Sequence, residues 1–295
     1  MAPDPTPPDL APGRAPHAPP ALFDEALYAR RQAQASDPLF HRLAADELSD
    51  RLTEVNRRFT RVALITHQPG PWTPALAAHP SVERVELIAP AATLPLARDA
   101  FDLIVLGLWL HACNDPLGAL IQARLALKPD GLLLAALFGG QTLQELRDAL
   151  AQAEIAETGG LSPRVAPMAE IRELGSLVQR AGLVMPVADA TRTVLRHQTV
   201  LSLMRDLQRM GETNILNDRL RRSSRRGIFA RAEAAYAAAH RGGDGRLPAT
   251  VETIWLTGWA PGPDQPEPKR PGSATARLAD ALGVPERPAG DRAGG

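Results

Sequence analysis

The sequence predicts a doubly wound α/β sandwich, and three observations carry that reading. Short runs that are apolar on both faces recur at RVALI (61–65), VERVELI (82–88), FDLIVLGLWL (101–110) and LLLAALF (132–138). Helix-length segments with capping residues alternate with the later runs, as a parallel sheet covered on both sides requires. The ends differ in composition: residues 1–22 hold eight of the 28 prolines, and 261–295 hold seven more with six glycines. This leaves a central block with no internal repeat and no linker.

The first element expected is a helical region from Asp24 to Arg58, where Leu43, Leu48, Leu52, Val55 and Phe59 give one apolar face. The 61–65 run ends in the turn THQPGPW, and the 82–88 run ends in APAA. The strongest strand, 101–110, stops at His111, and Asn114, Asp115 and Pro116 then supply an Asx cap with proline at the first helical position. A helix to Leu127 follows. Lys128-Pro129-Asp130-Gly131 reads as a type I turn into the 132–138 strand. Thr142 and Glu145 stand three apart, the spacing of a capping box, with Leu143, Leu146 and Leu150 as the buried stripe. Residues 169–182 form a further helix closed by Gly182, and LVMPV and TRTVLRH are strand-like. Residues 199–211 are helical up to Gly211, and VETIWLTGW (251–259) is the last strand. The expected organisation is a disordered arm over 1–22, helices over 23–60 packed on the sheet edge, an α/β domain over 61–260 and a flexible tail over 261–295.

At 295 residues there is ample length for a buried core. Hydrophobic residues are 44%, charged residues 22% and aromatics 4%, which is poor in the rings that stack on single-stranded nucleic acid. Lys plus Arg is 33 against 33 Asp plus Glu, so no net field draws in polyanions. Nucleic acid is therefore not an expected partner. The apolar stretch before His111 is about half the ~18 residues a membrane span needs, and no secretory or transit peptide is readable. The single cysteine, Cys113, rules out an internal disulfide and suits a reducing compartment, so a cytoplasmic location is expected. The seven histidines show no two-ligand spacing, and no metal site is expected.

In such a sheet, ligands bind beyond the carboxyl ends of the strands, where strand order reverses. The turn Thr66-His67-Gln68-Pro69-Gly70-Pro71-Trp72 sits at that place after strand one. A nucleotide-binding turn presents glycines and N–H groups there, yet only Gly70 has the freedom and Pro69 and Pro71 lack the donor. The acid expected at the end of strand two is absent, since Glu86 lies inside the run. His111 is the candidate catalytic residue, with a hydrogen-bonded structural role as the alternative. Cys113 has no neighbouring base, and Asp115 is explained by capping. Between Asp218 and Arg231 six arginines form either a solvated face or a docking patch.

The stretches LHACND (110–115), LKPDG, LFGGQTLQELR, AETGGLSPRVAP, DLQRMGETN and RPGSA, spread from Phe101 to Ala274, resemble the methyltransferase-fold family of respiratory complex I assembly factors. That family is similar in turn to the biotin-pathway methyltransferase that acts on a carrier-protein thioester. The resemblance implies a Rossmann-like class I methyltransferase sandwich, a seven-stranded, mostly parallel sheet with a reversed last hairpin. It also implies S-adenosylmethionine as cofactor and a protein substrate, with arginine hydroxylation on a complex I subunit as the activity credited to relatives. The residues it carries over to the cofactor side are Thr66, Gly70, Glu86 and Gly107. Those on the substrate or partner side are Gly139, Gly140, Gln141, Arg147, Ser162 and Arg164, with the 205–214 segment. The sequence departs from the family where D-x-G-C-G-x-G is replaced by Ala63 to Gly70. The tryptophan of LHWVND is also missing, and only a dozen residues separate Ile88 from Phe101. Two classes of function stay open: a methyltransferase or hydroxylase acting on a protein, or a cofactor-free protein that retains the fold to bind an assembly partner.

Overall fold

Continuous apolar runs make the strands, and pairing sets their order. In the computed structural model, which describes residues 20–263, Gln265 and Gly283, the strands are β1 (Val62–Ile65), β2 (Val85–Ile88), β3 (Phe101–Gly107), β4 (Leu127–Phe138), β5 (Val184–His197) and β6 (Leu247–Trp259). They form one sheet in the order β2-β1-β3-β4-β6-β5. β1 pairs in parallel with β2 and β3, and β3 with β4, whereas β6 runs antiparallel to both β4 and β5. The fold is the mostly parallel α/β sheet read from the sequence, with six strands among the described residues where the resemblance implied seven. The missing strand belongs to residues 89–100, which stay irregular and are tied to a helix instead. Gln122 accepts from the Leu94 N–H at 2.8 Å and donates to the Ala92 carbonyl at 3.0 Å.

Among the described residues there are eight α-helices: α1 (Glu25–Ala33), α2 (Leu39–Glu54), α3 (Pro69–Ala78), α4 (Pro116–Ala126), α5 (Gln144–Thr158), α6 (Ile171–Arg180), α7 (Val200–Arg209) and α8 (Arg226–His240). Strand side chains alternate between faces. On one face Ala63, Ile65, Ile104 and Leu106 pack with Leu120 of α4 and Val178 of α6. On the other, Leu64, Leu103 and Val105 meet Leu48 and Leu52 of α2 and Trp72 of α3. A third cluster joins α5, α7 and α8 through Leu150, Leu203 and Tyr236.

Several local expectations are corrected. The helix expected from Asp24 to Arg58 is two helices, because Pro38 disfavours helix at Asp37 and starts a new one. Their apolar residues cover a face and the tips of the strands rather than the sheet edge. The turn after β1 is brief, since Pro69 occupies the first position of α3, where its missing N–H is harmless to the helix. Lys128 to Gly131 bulges out within β4, with Asp130 at φ 63°, and pairing steps from Phe101–Leu127 to Leu103–Leu132. LVMPV and TRTVLRH are one strand, interrupted where Met185 adopts φ 50° before Pro186. The last strand begins at Leu247, four residues ahead of the expected start. The arginines at 219, 221 and 222 lie in a loop before α8 and share no helical arc. The arm expected over 1–22 and the tail expected over 261–295 lie almost wholly outside the described residues.

Thr142 and Glu145 do not form a capping box. Leu143, at φ 54°, is the N-cap of α5, and both polar side chains turn to β6. Thr142 exchanges two hydrogen bonds with the backbone of Glu252, and the Glu145 carboxylate accepts from the Thr250 hydroxyl at 2.5 Å and its N–H at 3.2 Å. These bonds join residues more than 100 positions apart and fix the entry of α5 against the antiparallel strand. Glu145→Ala removes two acceptors at a buried site and is expected to lower the unfolding free energy by about 1–3 kcal/mol. A urea midpoint equal to wild type would show that the strand does not depend on them.

Candidate functional site

At the strand tips, backbone reversal brings polar side chains from three distant segments together. β3 ends at Gly107, and Leu108 turns the chain at φ 51° into a short 3-10 turn over Leu110–Ala112 that carries His111. α1 lies across this tip. Its Tyr28 hydroxyl is 2.9 Å from Glu212 Oε1, 3.2 Å from His111 Nε2 and 3.3 Å from the Leu108 carbonyl. Gln32 of α1 donates to the same Glu212 oxygen at 2.7 Å and accepts from Gln68, at the start of α3. His111 Nε2 is 3.6 Å from the other Glu212 oxygen, and its Nδ1 is buried without a partner among the described residues.

Burial pushes the Glu212 carboxyl up, but the facing His111 ring, 3.6 Å away, and the Tyr28 hydroxyl more than offset it and hold the group below its usual range. The Tyr28 hydroxyl is pushed well above its ordinary value by burial and by the Glu212 charge. Burial lowers His67 and takes His41, whose Nδ1 accepts from Trp72 Nε1 at 2.9 Å, down to about 4. Burial raises the Cys113 thiol to about 11, which removes thiolate chemistry at neutral pH.

Two cavities flank Tyr28. The smaller, about 220 Å³, lies over the tips of β1, β2 and β3 between His67, Pro90, Ala92, Trp109 and Cys113. The larger, about 670 Å³, runs from Tyr28 and His111 along Phe138, Leu146 and Met204 to a mouth bearing Arg31, Arg164, Arg219 and Arg221.

Of the residues expected on the cofactor side, Thr66 and Gly107 meet, and Gly70 and Glu86 stand apart from them. Thr66 is buried and donates to the Gly107 carbonyl at 2.7 Å. A Cβ on Gly107 would come within 3.0 Å of the Trp72 ring, so a side chain rather than a ligand fills the space beside it. Glu86 is engaged by Arg61 at 2.7 Å on the edge strand. Gly70, second in α3, faces open space between two residues with no N–H. The residues present do not fit S-adenosylmethionine: the first turn of α3 is short of donors, the acid of β2 is paired elsewhere, and the side chains of α1 and Gln68 lie across the β1 tip.

On the other side, His111 and Arg164 line the larger cavity. Gly139 is close-packed, since a Cβ there would meet Glu252 Oε2 at 2.6 Å, and the Gln141 N–H donates to that carboxylate at 3.2 Å. A Cβ on Gly140 would strike Glu170. Ser162 and Arg164 both bind the Glu154 carboxylate, at 2.7 Å each. Arg147 donates to the Thr142 and Ala166 carbonyls at 3.3 Å, and its Nε is buried without a partner among the described residues. Tyr28, Gln32 and Glu212 escape individual notice in the sequence. Glu212 lies within the DLQRMGETN stretch, but Tyr28 carries no local signal beyond its being one of two tyrosines. Among the described residues no cluster of three or more His, Cys, Asp or Glu could hold a metal, and no helix is long and apolar enough to cross a membrane.

Residues 52–135 match a family described as a methyltransferase domain. The chain is 37% identical to a Danio rerio protein named arginine-hydroxylase NDUFAF5, mitochondrial, over 66% of this chain and 60% of the relative. To the Homo sapiens protein of the same name it is 37% identical over 68% of this chain and 57% of the relative. A malonyl-[acyl-carrier protein] O-methyltransferase of Xylella fastidiosa (strain M23) is 37% identical over 58% of this chain and 56% of its own length. The chain thus spans about three fifths of the length of these curated relatives.

The Glu154 cluster gives a pH test. Hydrogen bonds from Arg164, and then from Ser162, hold the Glu154 carboxyl at about 2 in the folded chain. Because the folded value is depressed, the stabilisation is complete above the ordinary carboxylate range, near 4.5, and is lost as pH falls from there towards 2. Glu154→Gln is expected to lose less stability than wild type between pH 5 and pH 2.5 in urea unfolding. Parallel acid profiles for the two proteins would contradict this.

Proposed function

We propose that this chain, which matches a methyltransferase-domain family over residues 52–135 and is 37% identical to proteins named NDUFAF5, acts as a protein-binding assembly factor on respiratory complex I intermediates without using S-adenosylmethionine. The observation that carries this reading is the β1 tip. There Pro69 and Pro71 withdraw two N–H donors from the start of α3, Gln68 donates to Gln32, and Gln32 and Tyr28 both donate to Glu212. A cofactor placed there would leave polar groups unpaired at roughly 1–3 kcal/mol each, so two such losses weaken binding by about two to three decades. Complex I enters through the motif resemblance and the kinship to NDUFAF5 proteins. The enzyme reading, methylation or arginine hydroxylation of a protein, rests on the relatives' names. A cytoplasmic location is part of the proposal and is supported by the lone Cys113, although the animal relatives are named mitochondrial.

Titration calorimetry separates the two readings. The purified chain is expected to give no saturable heat with S-adenosylmethionine or S-adenosylhomocysteine at concentrations that saturate a glycine-rich relative, and micromolar binding would restore the enzyme. For the partner, tagged wild type, His111→Ala and Arg147→Ala are used to capture complex I intermediates, with thermal midpoints measured alongside. Loss of capture by Arg147→Ala at an unchanged midpoint is expected, since its guanidinium makes only carbonyl contacts and no ion pair among the described residues. Retained capture by both variants, or a fallen midpoint with every loss, would overturn the recognition surface.

A further inference from the structure

The larger cavity has a composition that a protein-docking role does not use. Its volume of about 670 Å³ falls within the roughly 300–1,000 Å³ typical of small-molecule sites. The inner wall is apolar, built from Phe40, Phe138, Leu146, Met168, Met204 and Leu207, and the two methionines adapt to flexible chains. The mouth is cationic. Of its four arginines, Arg164 is neutralised by Glu154 at 2.7 Å and Arg219 by Asp24 at 3.1 Å. Arg31 donates to the Thr213 hydroxyl and to the Asn214 carbonyl at 3.1 Å, and neither Arg31 nor Arg221 makes an ion pair among the described residues. The Glu212 carboxylate, which lines the cavity, is taken by Tyr28, Gln32 and His111 and does not serve them. Burial, with the charges of Arg219 and Arg30, pushes Arg31 down against an opposing pull from Asp24, whose carboxylate is already paired with Arg219.

We propose that this cavity binds an amphipathic anion of the long-chain carboxylate class, with its hydrocarbon chain along the Phe40–Met204 wall and its carboxylate between Arg31 and Arg221. Apolar burial supplies affinity, and a planar guanidinium recognises a carboxylate by paired hydrogen bonds. The head stays at the mouth because the free guanidinium groups are there, whereas the Glu212 carboxylate at the inner end would repel a second carboxylate. The site lies on the other side of Tyr28 from the cleft over β1 and needs no cofactor.

The probe is oleate at sub-micellar concentration, titrated into the full chain, with oleyl alcohol as the uncharged control of equal length. Saturable binding of oleate is expected, at least about tenfold tighter than that of the alcohol. Arg31→Met and Arg221→Gln should each weaken oleate by about three- to tenfold and leave the alcohol unchanged. The exposed Arg221 can be replaced without disturbing the fold, and Leu146→Trp, which narrows the wall, should weaken both ligands. No saturable binding, equal affinity for oleate and the alcohol, or oleate binding indifferent to Arg221→Gln and Leu146→Trp would each overturn the proposal. None of these results bears on S-adenosylmethionine binding or on capture of complex I intermediates, so the two readings fail separately.

Discussion

A carboxylate largely withdrawn from water has to be satisfied, and meeting that need at Glu212 organises the functional end of this molecule. An unpaired charge in such a place would cost several kcal/mol. Glu212 instead draws Tyr28 and Gln32 from α1, near the start of the described chain, and His111 from the tip of β3. Once those side chains converge, α1 has a fixed seat across the strand ends. Neighbouring backbone bonds complete it: Phe23 exchanges two hydrogen bonds with Asn114, and the Asp24 N–H donates to Ile215. The division of the tip region into a small cleft and a large cavity follows, because Tyr28 forms part of the wall of each.

The same arrangement explains how a fold associated with one cofactor can present a different site. In a doubly wound sheet the crevice beside the first strand is available by topology, whatever residues fill it. Here the strand order is retained, but α3 begins on proline and the Trp72 ring packs beside Gly107. The space that stays open lies towards β4 and β6, bounded by α5, α7 and the loop that follows α7. What the fold offers and what the side chains permit are thus separable, and the second decides function.

Sheet membership was legible in the sequence because burial on both faces leaves an uninterrupted apolar run, as at 62–65, 103–106 and 132–137. Caps that act locally were legible too: Asp115 accepts from the Gly118 N–H, and Gly182 and Gly211 take positive φ after their helices. The misreadings have a common cause. Thr142 and Glu145 have the spacing of a local motif, yet their partners are Thr250 and Glu252, and no local pattern reveals a bond that spans 105 residues. The site was half legible for the same reason. His111 stands out at the end of a strand, whereas Tyr28 and Glu212 become functional candidates only when the fold places them 184 residues apart in sequence and 2.9 Å apart in space.

The position of β6 between β4 and β5 bears on how the chain is assembled. During synthesis β5, fourteen residues long, emerges some fifty residues before the strand that will hold it, and β4 has no partner on that side until β6 arrives. The β1 to β4 half can pair as soon as its own crossovers through α3 and α4 are made, but the final sheet waits for the last strand. Until then a long strand edge rich in β-branched residues is exposed, the condition under which nascent chains pair wrongly or recruit chaperones. Nucleation in the first half with late, cooperative insertion of β6 is the folding order this topology imposes, and truncation within 247–259 would therefore strand β5 rather than trim an edge.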